Sequence, residues 1–297
     1  PTYRQLREEV ARYCGHGVEA SHVVLGNGAD EVIDLVLRAT LDPGDEVVNL
    51  PPTFGMYEFF ARLNRSRVVD VPRDEDFRVQ PEAVRNALTP RTKVIVVCSP
   101  NNPTGNPLPW EHLLALLETG RLVLLDETYY EFHGETAAPL LREWPNLVIV
   151  RSLSKWAGLA GLRLGYGLMA PALADFLQRM RPPYNVNAAA AAAALASLRH
   201  ADVALCRVRK IVEERERLFA RLLESEVLRP LPSRGNFLLC FVEHGAPAAL
   251  RAFLEAQGIW LRWYGRPPLE RAVRITVGRP EDSDRIVDAL AAWRDRP

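Results

Sequence analysis

Lysine is the residue that this sequence most clearly lacks: only three of its 37 basic residues, at positions 93, 155 and 210, are lysines. Basic and acidic residues balance at 37 each, so the chain carries no formal net charge. Without a global positive field, we expect no binding to nucleic acid or to an anionic membrane surface. Any positively charged site should therefore be local, and each lysine can be considered separately.

Cysteines and metal-ligand spacings are also sparse. The four cysteines, at positions 14, 98, 206 and 240, form no C-x-x-C pair, and two of them lie within apolar, strand-like runs. This pattern argues against a disulfide framework and predicts reduced thiols in a cytoplasmic protein. The six histidines show no metal-ligand spacing. His133, two residues after Glu131, comes nearest, and we expect no metal site.

Long hydrophobic runs are missing as well. The most apolar stretch, residues 188–198, is too short and too rich in alanine to span a bilayer, and we interpret it as a closely packed helix. The first residues, PTYRQLREEV, are charged and amphipathic, which is not typical of a signal peptide. The sequence therefore predicts no membrane partner.

The order of the apolar segments predicts two structural units. At 297 residues the chain is long enough for about two domains. From residue 23 to about 170, strand-like runs alternate with helical segments, which predicts a mainly parallel sheet with helices on both faces. A long charged helix, about 200–225, then leads to a small α+β lobe. The predicted elements of this lobe are strands over 236–242, 259–263 and 272–278 and helices over 247–257 and 281–293.

Lys155 is the best candidate for a chemically active group. It follows the predicted strand LVIV (147–150), and open α/β sheets bind ligands at the carboxyl ends of their strands. Small and apolar residues flank it, and Arg163 comes eight positions later. Burial and a nearby positive charge both lower the pKa of an amine, which makes it nucleophilic toward aldehydes. A solvated lysine is the alternative, and we interpret Lys93 and Lys210 in that way.

A glycine turn separates the first predicted strand, VVLG (23–26), from a helical run that begins near Ala29 and Asp30. Unpaired backbone N–H groups and the helix dipole favour an anion such as phosphate at such a point. A plain tight turn and a dinucleotide fingerprint are the alternatives. In that fingerprint a third glycine would be expected where Glu31 stands.

Three other predicted strands end next to notable side chains. Phe54 follows EVVNL (46–50) and two prolines, and is either a core ring or a ring that stacks on a flat ligand. Asn102 lies in the polar turn SPNNPTG (99–105). Asp126 ends the apolar strand LVLLD, where a buried carboxylate needs a cationic partner. That partner is either an arginine or a nitrogen atom of a ligand.

Two arginines of the small lobe, Arg274 and Arg262, are candidates for binding a substrate. Arg274 alternates with Val273 and Ile275 along a predicted strand, so it points to the opposite face of the sheet. Arg274 and Arg262 are either surface arginines or a clamp on a substrate anion.

Together these motifs resemble the fold-type I pyridoxal-phosphate enzymes, and within them the histidinol-phosphate aminotransferases. The matching segments occur in the family's order over nearly the whole chain: GNGADE, PPTFGMY, SPNNPTG, DETYYEF, RSLSKWAGLAGLRLGY, PPYNVN, RGNFLL and VRITVG. The resemblance implies an α/β fold with a mixed, mostly parallel seven-stranded sheet in a large domain (15–205). It also implies a small α+β domain formed by 1–14 and 206–297, and a homodimer with active sites at the subunit interface.

The resemblance further implies pyridoxal 5′-phosphate as cofactor and a role for each matching residue. Lys155 would bond covalently to the cofactor and carry protons. Asp126 would keep the pyridine nitrogen protonated, and Tyr129 with Asn102 would hydrogen-bond the phenolic oxygen. Phe54 would stack on the ring. The phosphate would be held by the backbone amides of Ala29 and Asp30 and by Ser152, Ser154 and Arg163.

The implied activity is amino transfer between histidinol phosphate and 2-oxoglutarate or glutamate in histidine biosynthesis. Arg274 would bind the carboxylate of glutamate or the phosphate of histidinol phosphate, with Arg262, Tyr184 and Asn185 as further candidates for that pocket. The alternatives are a threonine-phosphate decarboxylase, an aromatic amino-acid transaminase, a dehydrogenase that uses the glycine turn, and a non-catalytic paralogue.

The sequence departs from the family pattern in several places. Family members carry an N-terminal arm before the position of Pro1, with a tyrosine that reaches the partner subunit's cofactor phosphate. A trimmed chain, a disordered arm and a shortened homologue with a more open pocket are the interpretations of this start. Thr128 and Trp156 replace alanines, so we expect added bulk beside Lys155. Phe54 replaces a tyrosine, which keeps the ring but loses a hydroxyl.

Overall fold

Short, mostly apolar runs form one large sheet in the computed structural model, which describes residues 3–294. The sheet has seven strands in the order β1-β7-β6-β5-β4-β2-β3. Their bounds are β1 (Val23–Gly26), β2 (Glu46–Asn49), β3 (Arg67–Asp70), β4 (Thr92–Cys98), β5 (Leu122–Asp126), β6 (Leu147–Ser152) and β7 (Gly165–Leu168). β7 runs antiparallel to both of its neighbours, and the other pairs are parallel. The predicted mixed, mostly parallel seven-stranded sheet is confirmed.

Both faces of this sheet are buried. Along β4, Ile95 and Val97 belong to one apolar cluster and Val94 and Val96 to another, because successive side chains point to opposite faces. Burial on both faces explains why the central strands are apolar throughout instead of alternating. The helices of this part are α1 (Arg4–Cys14), α2 (Ala29–Thr40), α3 (Met56–Leu63), α4 (Pro81–Ala87), α5 (Trp110–Leu117), α6 (Tyr130–His133), α7 (Pro171–Met180), α8 (Ala188–Arg199) and α9 (Ala201–Glu224).

A second sheet of four antiparallel strands, in the order β10-β11-β9-β8, forms the small lobe. Its elements are β8 (Leu228–Pro230), β9 (Phe237–Val242), α10 (Pro247–Ala256), β10 (Arg262–Trp263), β11 (Ala272–Thr276) and α11 (Pro280–Arg294). The prediction of a strand over 259–263 is wrong for its first three residues, because β10 begins only at Arg262. The Ile259 N–H donates to Leu254 O at 2.9 Å, so the chain is still closing α10 there.

The N-terminal helix packs against the large sheet. Leu6 and Val10 of α1 lie in the same apolar cluster as Leu125 of the seven-stranded sheet. The apolar face of α1 is thus buried against the large sheet, and the assignment of residues 1–14 to the small domain stays a prediction. α9 contributes to two cores, with Val208 in this cluster and Leu218 in that of the small lobe. The remaining boundary, between residues 205 and 206, falls inside α9 and stays a prediction.

No single helix in the described part of the chain is long and apolar enough to cross a membrane. α8 and α9 meet that test only when taken together, and they are bent by 78° at their junction. Residues 3–294 also contain no group of three or more His, Cys, Asp or Glu side chains placed to hold a metal ion.

Candidate active site

A cleft with about 810 Å³ of empty space, part of it open to solvent, lies at the carboxyl ends of the parallel strands. It is lined by Arg274 and by all ten residues predicted to bind the cofactor: Ala29, Asp30, Phe54, Asn102, Asp126, Tyr129, Ser152, Ser154, Lys155 and Arg163. The topology explains this meeting. β4, β5 and β6 are parallel neighbours, with Cys98 in register with Asp126 and Asp126 with Val150, so their following loops converge.

Asp126 is a buried carboxylate that has hydrogen bonds but no ion pair. It is 4% exposed. Its Oδ2 accepts from the Tyr57 hydroxyl at 2.6 Å and its Oδ1 accepts from the Thr128 N–H at 2.9 Å. Burial raises the pKa of Asp126, and these hydrogen bonds oppose that rise. Within residues 3–294 no salt bridge involves it, so the arginine partner considered from the sequence is not found.

Lys155 lies in the turn after β6 and faces the same cleft. Its side chain reaches the solvent of the cleft, but the surrounding protein desolvates it in part. This desolvation, followed by the positive charges of Arg274 and Arg163, lowers the pKa of the amine. The lowered pKa predicted from the flanking residues is confirmed, and a larger share of the amine is therefore unprotonated near neutral pH.

One end of the cleft has several features that favour an anion. α2 begins at Ala29 without a side-chain cap, so its first N–H groups are left for a ligand. Arg163 adopts a left-handed φ of 57°, a costly conformation for a residue with a side chain, and its Nη2 donates to Asp30 Oδ2 at 3.2 Å. Gly165 lies against the same helix start, where an added Cβ would come within 2.3 Å of Ala29 N.

The opposite side of the cleft is closed by the small lobe. Arg274 Nη1 donates to Asn102 Oδ1 at 2.7 Å, which joins β11 to the polar turn after β4. Its guanidinium carbon lies 5.1 Å from the ring centroid of Phe237, and its buried Nε has no hydrogen-bond partner. Arg262 stands directly opposite Arg274 in the β10–β11 pair, and both line a groove beside the cleft.

Two predicted substrate-binding residues are not brought to the cleft. Tyr184 is 74% exposed and does not line the cleft. Asn185 Nδ2 donates to Leu25 O at 3.1 Å and to Glu31 Oε2 at 2.7 Å, while its Oδ1 accepts from Arg181 at 2.8 Å. The Asn185 amide therefore holds the segment before α8 against β1 and α2, and the geometry gives it no free group for a substrate.

Two features of the cleft differ from the sequence analysis. Tyr57 was not identified as a site residue, although it lies three residues after Phe54, in the first turn of α3, and the two ring centroids are 5.6 Å apart. That spacing within PPTFGMY was the available signal. Trp156 does not add bulk beside Lys155, because it turns away from the cleft and stacks on Tyr13 with ring centroids 5.0 Å apart.

Comparison with known proteins agrees with this arrangement. The family model for class I and II aminotransferases matches residues 1–290. A histidinol-phosphate aminotransferase from Dehalococcoides mccartyi is 45% identical over 97% of this chain and 80% of its own length. Its counterpart from Roseiflexus castenholzii is 44% identical over 98% of this chain and 79% of its own. The crystal structure of the histidinol-phosphate aminotransferase from Sinorhizobium meliloti in complex with pyridoxal-5′-phosphate superposes with a TM-score of 0.88. The identity to it is 27%, over 98% of this chain and 81% of that one.

The cleft fits pyridoxal phosphate, which is the cofactor of this family. The buried Asp126 has no cation of its own and suits a protonated ring nitrogen. The uncapped start of α2 and Arg163 suit the phosphate, and Lys155, with its lowered pKa, lies in the same cleft. The fold, the conjunction of these groups and the relatives lead to one assignment. The chain belongs to the class I and II aminotransferases and, within them, to the histidinol-phosphate aminotransferase family.

Proposed function

We propose that the chain transfers an amino group between histidinol phosphate and 2-oxoglutarate or glutamate, as a pyridoxal-phosphate enzyme of histidine biosynthesis. One observation carries the choice of substrate: Arg262 and Arg274 are in register on neighbouring strands beside the cleft of Lys155. Like charges directly opposite each other in a sheet are destabilising. A doubly charged phosphate between the two guanidinium groups would relieve this repulsion, and guanidinium forks match phosphate geometry.

Each residue of the cleft has a proposed task in holding the cofactor. The amides of Ala29 and Asp30, together with Arg163 and the hydroxyls of Ser152 and Ser154, would bind its phosphate. Phe54 would stack on its ring. Asn102 already accepts from Arg274 through Oδ1, so its Nδ2 is the donor left for the phenolic oxygen. Tyr129, whose pKa is raised mainly by burial, would keep its proton and donate to the same oxygen.

The catalytic tasks fall to two residues. When bound, pyridoxal phosphate supplies an aldehyde that reacts with amines and a ring that accepts electrons from the substrate carbon. Lys155 Nζ would take the proton from that carbon and return it, since its lowered pKa makes the neutral amine available as a base. Asp126 would hold a proton on the ring nitrogen by placing a negative charge beside it.

Arg274 would serve both substrates. Its guanidinium bridges to Asn102 through Nη1 alone, so Nη2 remains as a donor for a carboxylate. Arg262 is more exposed and would act mainly on the phosphate. This division predicts that loss of Arg262 affects phosphorylated substrates selectively.

A steady-state assay with histidinol phosphate and 2-oxoglutarate tests the proposal. We expect turnover by the wild type, and an increase of about tenfold or more in the KM for histidinol phosphate on Arg262→Gln, from the loss of a charged hydrogen-bonding partner. The KM for unphosphorylated histidinol should be nearly the same in the wild type and in Arg262→Gln. Arg251→Gln, which removes an exposed arginine from α10 in the same lobe, is the matched control. Equal effects on both amines would contradict the proposed phosphate clamp.

The alternatives from the sequence give different products in the same experiment. A threonine-phosphate decarboxylase would release carbon dioxide from threonine phosphate, and an aromatic transaminase would prefer phenylalanine or tyrosine. A non-catalytic paralogue would bind the cofactor without turning over any of these amines. A dehydrogenase would leave the clustering of Lys155 and Asp126 unexplained.

We also propose that the chain forms a homodimer. Tyr184 is 74% exposed and precedes α8, whose first alanines, Ala188 and Ala189, are exposed as well. An exposed aromatic beside small apolar side chains is typical of surface that a partner subunit covers. Light scattering should give twice the chain mass of 33.3 kDa. A monomer at micromolar concentration would contradict the proposal.

A cytoplasmic location is the last part of the proposal. All four cysteines are free, and Cys206 is exposed. Free thiols are typical of a reducing compartment. Fractionation of cells with an antibody to the protein would test the location.

A further inference from the structure

We propose that Tyr57 and Thr128 are positioning residues, which fix Asp126 in one orientation as an ionised carboxylate with a lone pair free for the cofactor's ring nitrogen. The inference deepens the proposed function, since it rests on the proposed role of Asp126. It assigns a task to two side chains that line the cleft and that the cofactor-binding set did not include.

Tyr57 is rigidly placed for this task. It is fully buried on α3, and its ring packs edge-on against Phe54 at an interplanar angle of 80°. Its hydroxyl donates to Asp126 Oδ2 at 2.6 Å. Burial and then the charge of Asp126 raise the pKa of Tyr57 well above its ordinary value, so the phenol keeps its proton and remains a donor. A short hydrogen bond to a charged acceptor is among the stronger kinds in proteins.

Thr128 holds the other oxygen of the same carboxylate. Its N–H donates to Asp126 Oδ1 at 2.9 Å, and its nearby hydroxyl opposes the rise in the pKa of the acid. One donor engages each oxygen, so the carboxylate cannot rotate without losing a hydrogen bond. Each oxygen of a carboxylate offers two lone-pair sites, which leaves acceptor capacity for a ligand.

The need for such donors follows from burial. Desolvation is the largest influence on Asp126 and favours its neutral form, whereas a protonated ring nitrogen requires the charged form. No cationic side chain in residues 3–294 forms a salt bridge with Asp126. Without a cofactor, hydrogen bonds from Tyr57 and Thr128 are therefore what stabilises the carboxylate charge in place of an ion pair.

The test measures cofactor binding without any amino substrate. Apoprotein of each variant is titrated with pyridoxal 5′-phosphate, and the dissociation constant and the absorption spectrum of the bound cofactor are recorded. The variants are Tyr57→Phe, Thr128→Val and Thr128→Ser. Thr128→Val keeps the shape and removes the hydroxyl, and Thr128→Ser keeps the hydroxyl. Tyr166→Phe is the control, because Tyr166 is equally buried but its hydroxyl lies by Cys14 Sγ at 3.9 Å, and Tyr166 does not line the cleft.

We expect Tyr57→Phe to weaken cofactor binding about tenfold, as for loss of a hydrogen bond to a charged group, and to change the spectrum of the bound cofactor. Thr128→Val should weaken binding about threefold, and Thr128→Ser should restore it. Tyr166→Phe should leave the dissociation constant and the spectrum as in the wild type. Thermal melting of each apoprotein identifies any variant that does not fold, and the Thr128 pair then decides the question.

Wild-type affinity and spectrum in both Tyr57→Phe and Thr128→Val would overturn the inference. So would an equal loss in Tyr166→Phe, or no difference between Thr128→Val and Thr128→Ser. Failure to turn over histidinol phosphate would count against the proposed substrate alone, because the cofactor titration contains no amine substrate.

Discussion

Asp126 and Glu127 are adjacent acids at the end of β5, and both are buried, but only one has a cationic partner. Glu127 Oε2 accepts from Arg151 Nη2 at 2.9 Å, and it also accepts from the Thr136 hydroxyl at 2.9 Å. Asp126 points into the cleft and is held by hydrogen bonds alone. The difference shows how one strand end can carry two kinds of charge, one neutralised within the fold and one left for a ligand.

The same contrast separates two basic residues of β6 and the turn that follows it. Arg151 is 1% exposed, pairs with Glu127, and lies with its guanidinium carbon 3.7 Å from the ring centroid of Tyr130. Lys155 faces the cleft, with a pKa lowered by burial and by other cations. We therefore expect substitutions of Asp126 and Lys155 to lower activity more than stability. Substitutions of Glu127 and Arg151 should lower stability more than activity.

The largest effect should come from Lys155→Ala. Loss of the proposed base should lower kcat by about 10⁴-fold, the upper range for a positioned proton carrier. The free energy of unfolding should change by less than about 0.5 kcal/mol, since the side chain makes no buried contact that the fold depends on. Steady-state kinetics and thermal melting of the same preparation give both values. Residual activity of several per cent would contradict the assignment of the base.

Asp126→Asn should lower kcat by about 10³-fold, the upper range for removing one preorganised electrostatic group. The variant without cofactor should be more stable than the wild type at neutral pH. Because burial raises the pKa of Asp126, the native state holds its proton more tightly than the unfolded chain does, and ionisation destabilises the native state.

The stability difference between this variant and the wild type should depend on pH in a defined direction. The wild type should lose stability relative to Asp126→Asn as pH rises from about 4, the ordinary pKa of Asp, through the raised pKa of the folded state. Melting curves of both apoproteins between pH 4 and pH 8 would measure this. A wild type that gains stability over that interval relative to the variant would contradict the unpaired state of Asp126.

Glu127→Gln should have the opposite effects to changes at Asp126: it should lower stability and leave cofactor binding nearly unchanged. It leaves Arg151 buried without its counter-charge, which should cost about 3 kcal/mol of unfolding free energy. The folded fraction should still bind pyridoxal phosphate with nearly the wild-type affinity, because Glu127 does not line the cleft. Denaturant unfolding gives the first value and a cofactor titration the second. Glu143→Gln, at an exposed glutamate, is the control and should change neither.

The smallest effect concerns the reactivity of the three lysines. Without cofactor, Lys155 should react with an amine-modifying reagent at pH 8 a few times faster than Lys93 or Lys210, because its lowered pKa gives a larger neutral fraction. Peptide mass mapping can assign each site, since the chain contains no other lysine. Equal rates at the three positions would show that the cleft does not perturb Lys155.

The sequence was most informative where a side chain follows a buried strand. Asp126 and Lys155 are far apart in the chain, but the strands that precede them had to be parallel neighbours, so their meeting in one cleft could be predicted. The sequence pattern could not predict in which direction long side chains on helices and loops point. The Tyr57 hydroxyl could have faced solvent, and the Trp156 ring could have filled the cleft instead of stacking on Tyr13.

The sequence was least informative where polar groups had several partners available. Asn185 was a candidate for the substrate pocket, but its amide finds complementary groups on Arg181 and Glu31, which no local pattern reveals. The strand expected from residue 259 began only at Arg262, because the end of α10 competes for the first residues of the apolar run. For Asn185 a contact with the sequence-distant Glu31 decided the outcome, and for residue 259 the end of the preceding helix did.

The reversed direction of β7 limits how this active site can be altered. Gly165, the first residue of β7, is in register with Gly26 at the end of β1 and with Ser152 at the end of β6, so three segments that bear on the anion end of the cleft converge on a residue without a side chain. A parallel β7 would bring Leu168 to this junction, where the start of α2 leaves no room even for a methyl group at Gly165. Redesign of the specificity of this enzyme therefore has little freedom here, and the small lobe is the better place to introduce new binding groups.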